Sequence, residues 1–326
     1  MNKLPIFVYN LLVWTKKQVY FSLLQTFGAL IWGLAFVFQS SAAKYIGPYT
    51  INAIRFFLGA LFLVPFSIYS LKKENKTKKV DIKTTIIAGI ISGIFLIIAS
   101  IVQQIGISTT STSKSGFITA FYIVLVPIFS FLLFKKKNEI NVYISILIAI
   151  VGLGFLCLKG DLSIEIGDIY LFIGALFFTF QIIAIDYFSQ RVNLITMSMI
   201  QMGFASIVSF IFMMIFERDN LDKVVNAIIP LLYLGIFSSG IAYTIQVVSQ
   251  KHLNPTICSL IMSLESVFSS ICGIIIYSFY QFSDIPQYMN INEIIGSILM
   301  FTAVIFSQIP LSLLVKNKKN NQKNTL

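Results

Sequence analysis

The sequence predicts an all-α integral membrane protein: ten transmembrane helices arranged as two inverted five-helix repeats. Three observations point there. Of 326 residues, 57% are hydrophobic and only 11% charged, whereas soluble domains carry about 25% charged residues, so lipid has to be the main solvent. The apolar residues fall in long continuous runs, close to the roughly 20 residues a helix needs to cross the hydrocarbon core. The chain also repeats itself weakly after five such runs. Five is an odd number, which sets the two halves in opposite orientations in the membrane.

The runs are 18–40, 48–71, 84–106, 114–134, 140–158, 168–190, 194–216, 227–250, 254–280 and 291–315. They make a first repeat over 18–158 and a second over 168–315, with 1–17 and 316–326 as cytoplasmic termini. The runs lack the alternation of a membrane barrel, and a helix satisfies its own backbone hydrogen bonds where lipid cannot. Before the first run, Leu4 to Trp14 is apolar but too short to span, and no small-residue cleavage site follows it, so it reads as an interfacial segment or as the product of an upstream start codon.

Orientation follows from the basic residues. With the N-terminus inside, inner segments hold 18 Lys and Arg, including the clusters Lys72 to Lys83, Lys135 to Lys137 and Lys316 to Lys323. Outer segments hold 5: Lys44, Lys114, Lys159, Arg218 and Lys223. This bias puts both termini of a multi-pass cell-membrane protein in the cytoplasm, with the loop around Lys76 inside and that around Ser163 outside. It also accounts for the net charge of +11 as membrane anchoring, not as a nucleic-acid partner.

Several chemistries are disfavoured. The only histidine, His252, lies in a short loop, and Cys157, Cys258 and Cys272 sit in apolar runs without CxxC spacing, so there is no zinc or disulfide framework. No phosphate-binding glycine loop or nucleotide motif is present, and no cofactor is called for. An intramembrane lipid-acting enzyme lacks a membrane histidine or closely paired acids. A channel lacks obvious rings of like residues. These two classes, with a lipid-handling protein, remain the alternatives to a transporter.

The internal repeat is carried by Gly28-Ala29-Leu30 against Gly174-Ala175-Leu176, and by Gly93-Ile94-Phe95 against Gly235-Ile236-Phe237, a register that sets Gln104 on Gln246. The fourth and ninth spans align with different shifts at their two ends, about one helical turn apart. Pro65 and Pro127 lie inside spans, where they mark either packing or a hinge.

The order of motifs resembles the EamA-type permeases of the drug/metabolite transporter superfamily. The first two spans read GALIWGLAFVFQSSAAKYIGPYTINAIRFFLGALFLVPF, with Trp32-Gly33 and Arg55-Phe56 fitting the pattern. TSTSKSGFITAFYIVLVPIFSFLLFKKK and LNPTICSLIMSLESVFSSICGIII follow in the fourth and ninth spans. Ser266 stands where the family usually has proline. The resemblance covers nearly the whole chain. It implies ten helices, a central cavity between the halves, and alternating-access transport, often export, of small metabolites such as amino acids.

Polar groups inside the spans supply candidate site residues, because an intramembrane ionisable group by default suggests function or pairing. Two stand out deep within spans, Arg55 in the second and Glu265 near the middle of the ninth, read as shared structural or gating elements, with Glu265 also a candidate for a coupled proton. In the eighth span Ser239, Tyr243, Gln246 and Gln250 share one face at 3.6 residues per turn, and Gly89, Gly93, Ser100 and Gln104 make a similar stripe in the third. Both stripes fit either cavity lining or interhelical packing. The ninth-span stripe Ser259, Ser263, Ser266, Ser270, Gly273 reads as a packing surface, and Asp186 as solvated or locally paired. The expected solute site is therefore Gln104, Tyr243 and Gln246 with Arg55 nearby, and Trp32 able to stack on a small-molecule solute.

Overall fold

The computed structural model describes residues 16–75, 80–109, 112–157, 165–280 and 291–309. The expectations at Lys76 and Ser163, and for residues 1–15 and 310–326, fall outside them. The helices are α1 (Lys16–Ala43), α2 (Pro48–Glu74), α3 (Ile82–Thr109), α4 (Thr112–Thr119), α5 (Tyr122–Phe134), α6 (Ile140–Cys157), α7 (Ile166–Phe188), α8 (Leu194–Phe216), α9 (Ile228–Tyr233), α10 (Tyr243–Gln250), α11 (Pro255–Met262), α12 (Glu265–Tyr280) and α13 (Ile291–Ser307). A 3₁₀ segment, Arg218–Ala227, precedes α9, and π-helical Leu234–Ala242 joins α9 to α10. Among the described residues there is no strand. Eight helical stretches are long and apolar enough to cross a membrane, and Ile140–Leu156 and Ile291–Ser307 are shorter apolar helices.

The outer surface is apolar. Leu61, Leu147, Ile207, Ile215, Phe216 and Ile229 are each more than half exposed. Such a continuous apolar exterior is incompatible with water as the surrounding solvent, and the chain is a multi-pass membrane protein.

Three predicted spans are not single α-helices. The fourth is α4 plus α5, with a turn at Ala120 and Phe121, and the ninth is α11 plus α12, with a turn at Ser263 and Leu264; the backbone stays right-handed helical at Phe121 and Ser263. Tyr122 and Glu265, the first residues after the two turns, stand 143 apart. The same shift carries Thr112, the start of α4, onto Pro255, the start of α11. One uniform shift therefore replaces the two shifts read from the sequence. The eighth span contains the π-helical stretch, whose i→i+5 bonds rotate its side chains out of the 3.6-residue register.

Helix contacts come in pairs related by exchange of the halves. α2 packs on α8 and α6 on α13. The α3–α7 contact has its counterpart in α1 against the π-helical stretch and α10, and α3–α8 in α2 against the π-helical stretch. Likewise α4 and α5 lie on α7 as α11 and α12 lie on α1. Glycines allow the closest crossings. A Cβ on Gly296 would lie 2.5 Å from the Gly152 carbonyl, where α13 crosses α6, and one on Gly33 would lie 2.5 Å from Phe268 Cβ, where α1 meets α12.

The ends of α2 and α8 hold one another. Gly47 is the N-cap of α2 and makes no side-chain cap, with Pro48 at the first helical position, where its missing N–H is no loss. The cap comes from Glu217, just past α8. Its carboxylate accepts from Tyr49 N (3.1 Å), Thr50 N (2.7 Å) and Thr50 Oγ1 (2.7 Å). At the opposite ends Asn193 caps α8 by accepting from Thr196 N at 3.0 Å, and its amide donates to Glu74 at 2.6 Å and Ser70 at 2.8 Å on α2.

Candidate solute site

A cavity of about 40 Å³ lies where the two halves meet. α1 contributes Trp32, Phe36 and Gln39, α2 Arg55, α3 Gln103, α4 Thr119 and α5 Tyr122. The second half contributes Phe178 and Gln181 from α7, Ser238 from the π-helical stretch, Tyr243 and Gln246 from α10, Met262 from α11 and Glu265 from α12. A water molecule needs roughly 10–15 Å³ of such space, so the cavity holds only a few waters. An organic solute enters only when the walls move apart.

The walls are tied by polar contacts across the bundle. Tyr122 donates to Glu265 Oε1 at 2.9 Å, joining the residues that follow the two turns. Gln246 and Gln181 pair through their amides, with Gln246 Nε2 donating to Gln181 Oε1 at 3.1 Å. Arg55 Nη1 donates to Gln39 Oε1 at 3.1 Å, and its guanidinium carbon lies 4.5 Å from the Phe56 ring. Trp32 meets Tyr243 edge-on at 4.9 Å. Arg55 and Glu265 are nearly fully buried, and among the described residues neither makes an ion pair.

Of the residues expected from the sequence, Trp32, Arg55, Tyr243, Gln246 and Glu265 line this cavity and Gln104 does not. Gln104 is fully buried with both amide atoms unpartnered, and its neighbour Gln103 reaches the cavity instead. The reason is the rotation of α3. Its small-residue stripe is a packing face: a Cβ on Gly89 would meet Ile200, and one on Gly93 would meet Phe204, both on α8. Ser239 is displaced in the same way by the π-helical turn, and Ser238 lines the cavity. Gln250 is spent on the Ile182 carbonyl at 3.0 Å.

Sequence reasoning missed Gln39, Gln103, Thr119, Tyr122, Gln181 and Ser238. Tyr122 was within reach, because the uniform shift between the fourth and ninth spans sets it on Glu265. Asp186, outside the cavity, pairs with Lys136 at the start of the α5–α6 connection. His252 packs against Phe21 at 4.0 Å, and partial burial together with Lys17 and Lys251 holds its pKa below the usual histidine value. A second, surface groove of about 550 Å³ between α2, α3 and α8 is walled by Phe57, Leu61, Val64, Ile90, Ile200 and Ile207. Its Ser206 hydroxyl already donates to the Ala53 carbonyl, so it presents no polar group to a solute.

The model of the EamA-like transporter family matches residues 21–158 and 165–309. An uncharacterized transporter of Archaeoglobus fulgidus is 28% identical over 289 residues, covering 89% of this chain and 86% of that protein. An uncharacterized transporter of Methanothermobacter thermautotrophicus is 19% identical over 84% of this chain and 82% of its own. One solved structure superposes with a TM-score of 0.67 at 15% identity, over 88% of this chain and 96% of the other, a likeness of fold.

Proposed function

Because this chain belongs to the EamA-like transporter family, and is thus a membrane transporter, we propose that it is a secondary carrier of a small polar or amphipathic organic solute. The solute binds in the central cavity, which opens alternately to the two sides of the membrane. One observation carries the reading: a buried polar cavity is walled by equivalent elements of both halves and is too small for a solute as it stands. Ligand pockets run about 300–1,000 Å³, so occupation requires the halves to separate on one side.

In this reading the protein has ten spans in two inverted repeats, 18–158 and 168–315, with both termini cytoplasmic. The paired helix contacts and the equivalent turns support it. The short helices α6 and α13 cross by local thinning of the bilayer. Carriers of inverted-repeat design commonly hold their solutes near the bilayer midplane, between the repeats. Export is the direction that the family resemblance favours.

Glu265 is the candidate for a coupled proton, and transport by Glu265→Gln with the pH dependence of the parent would remove that assignment. The test of the main reading is counterflow. Purified protein in liposomes preloaded with a compound that raises its melting temperature should accumulate the labelled compound transiently and saturably. Linear, non-saturable flux would indicate a channel. Chemical conversion of lipid without flux would indicate an enzyme.

A further inference from the structure

The cavity holds an excess of hydrogen-bond donors. Of its lining residues, three buried polar atoms lack a partner: Nε and Nη2 of Arg55 and Nε1 of Trp32. All three are donors. Several lining acceptors are engaged elsewhere: Gln39 Oε1 by Arg55, the carbonyls of Gln181 and Gln246 by each other's amides, and Glu265 Oε1 by Tyr122. Arg55 is 2% and Trp32 7% exposed, so bulk water does not serve these groups. On Arg55 the atom already used is Nη1, and the open edge is Nε with Nη2, two parallel N–H groups in the fork that matches a carboxylate. Leaving buried donors unmade is costly, and more so for a charged one.

We propose that Arg55, through its Nε/Nη2 edge, and Trp32, through Nε1, form an oxyanion seat, and that the transported solute carries a carboxylate that docks there. This deepens the carrier reading and rests on it. Arg55 is the one cation among the lining residues, so a monoanion is compensated and a dianion such as a phosphate monoester is left with a charge unbalanced. Tyr243, edge-on to Trp32, holds the indole in place.

Acetate tests the seat, because it is the smallest probe with the full carboxylate and makes few demands on the contracted cavity. The chain has two tryptophans, Trp14 and Trp32, so the full-length protein with Trp14→Phe reports on Trp32 alone. Acetate, titrated at constant ionic strength against chloride, should change Trp32 emission saturably, and its neutral isostere acetamide should not. Arg55→Lys keeps the charge but loses the fork, and should weaken the acetate response at least about tenfold, as the loss of a charge-assisted hydrogen bond predicts. Thermal stabilisation by acetate, lost in Trp32→Phe and in Arg55→Lys while the parent protein keeps it, checks the same point without relying on emission. No saturable acetate response, an equal response to acetamide, or an unaltered response in folded Arg55→Lys would overturn the proposal. Acetate seating without any solute counterflow would instead retain the seat and sink the carrier reading.

Discussion

Removal of the Glu217 carboxylate should unpin one end of the α2–α8 pair. Gly47 offers α2 no side-chain cap, so its first amides depend on Glu217, which accepts three hydrogen bonds from Tyr49 and Thr50. Loss of an N-cap costs about 1 kcal/mol, and loss of a negative charge at a helix N-terminus costs about 0.5 kcal/mol more. The bond from the Thr50 hydroxyl to a charged acceptor adds roughly 1.5 kcal/mol. Glu217→Ala is therefore expected to lose about 3 kcal/mol, which at about 2 °C per kcal/mol for larger chains lowers the melting temperature by about 6 °C. Thermal unfolding of the purified protein in detergent measures it. Glu217→Gln keeps one acceptor oxygen and should fall between the two. Arg218→Ala, one residue on, should change little, as exposed surface substitutions do. If Glu217→Ala melts with the parent, or Arg218→Ala loses as much, the cross-half cap does not stabilise the bundle as argued.

Further outcomes follow from other contacts. Gly296→Ala places a Cβ 2.5 Å from the Gly152 carbonyl and 2.7 Å from Leu156 N; thermal unfolding should show a loss of about 1–3 kcal/mol, the usual cost of overpacking. Asp81 accepts from the Thr84 backbone and hydroxyl, which hold its carboxyl below the usual aspartate value. A depressed carboxylate contributes its stabilisation above the unfolded pKa of about 3.9 and loses it as pH falls through the lower folded value. The Thr84 amide shift should therefore move in that acid range, and in Asp81→Ala it should not. For topology, an impermeant thiol reagent should label Tyr45→Cys on intact cells, and Lys137→Cys only after permeabilisation.

The helices were legible because lipid demands long apolar runs, and within the described residues the predicted runs fall on helices between Lys16 and Ser307. What the sequence hid was rotation and interruption. The turns at Ala120-Phe121 and Ser263-Leu264 carry neither proline nor glycine, and Pro65 and Pro127 instead lie within continuous helices. At the second turn, the Ser263 hydroxyl donates back to the Leu260 carbonyl at 2.7 Å, a local bond that competes with the helical ladder. Gln104 would reach the cavity only if the polar stripe of α3 turned inward, and Ser239 only if its span were a straight α-helix. Packing of Gly89 and Gly93 on α8 turns α3 by one residue, so that Gln103 faces the cavity, and the π-helical stretch does the same for Ser238. Arg55, Glu265 and Trp32 were legible for a different reason: a charge or a large polar-edged ring in a span has few places to go except the interior.

The central claim is that solute binds between the halves, among Arg55, Tyr243 and Gln246. Its most direct measurement is the dissociation constant of a compound that raises the melting temperature of the purified protein, determined for the parent and for folded Tyr243→Ala and Gln246→Ala. Loss of one hydrogen bond to solute is worth about 0.5–1.5 kcal/mol, so the account predicts a several-fold weaker constant in each variant, measured below its own unfolding temperature. Unchanged affinity in both, with the compound bound elsewhere in a solute-bound structure, would contradict it.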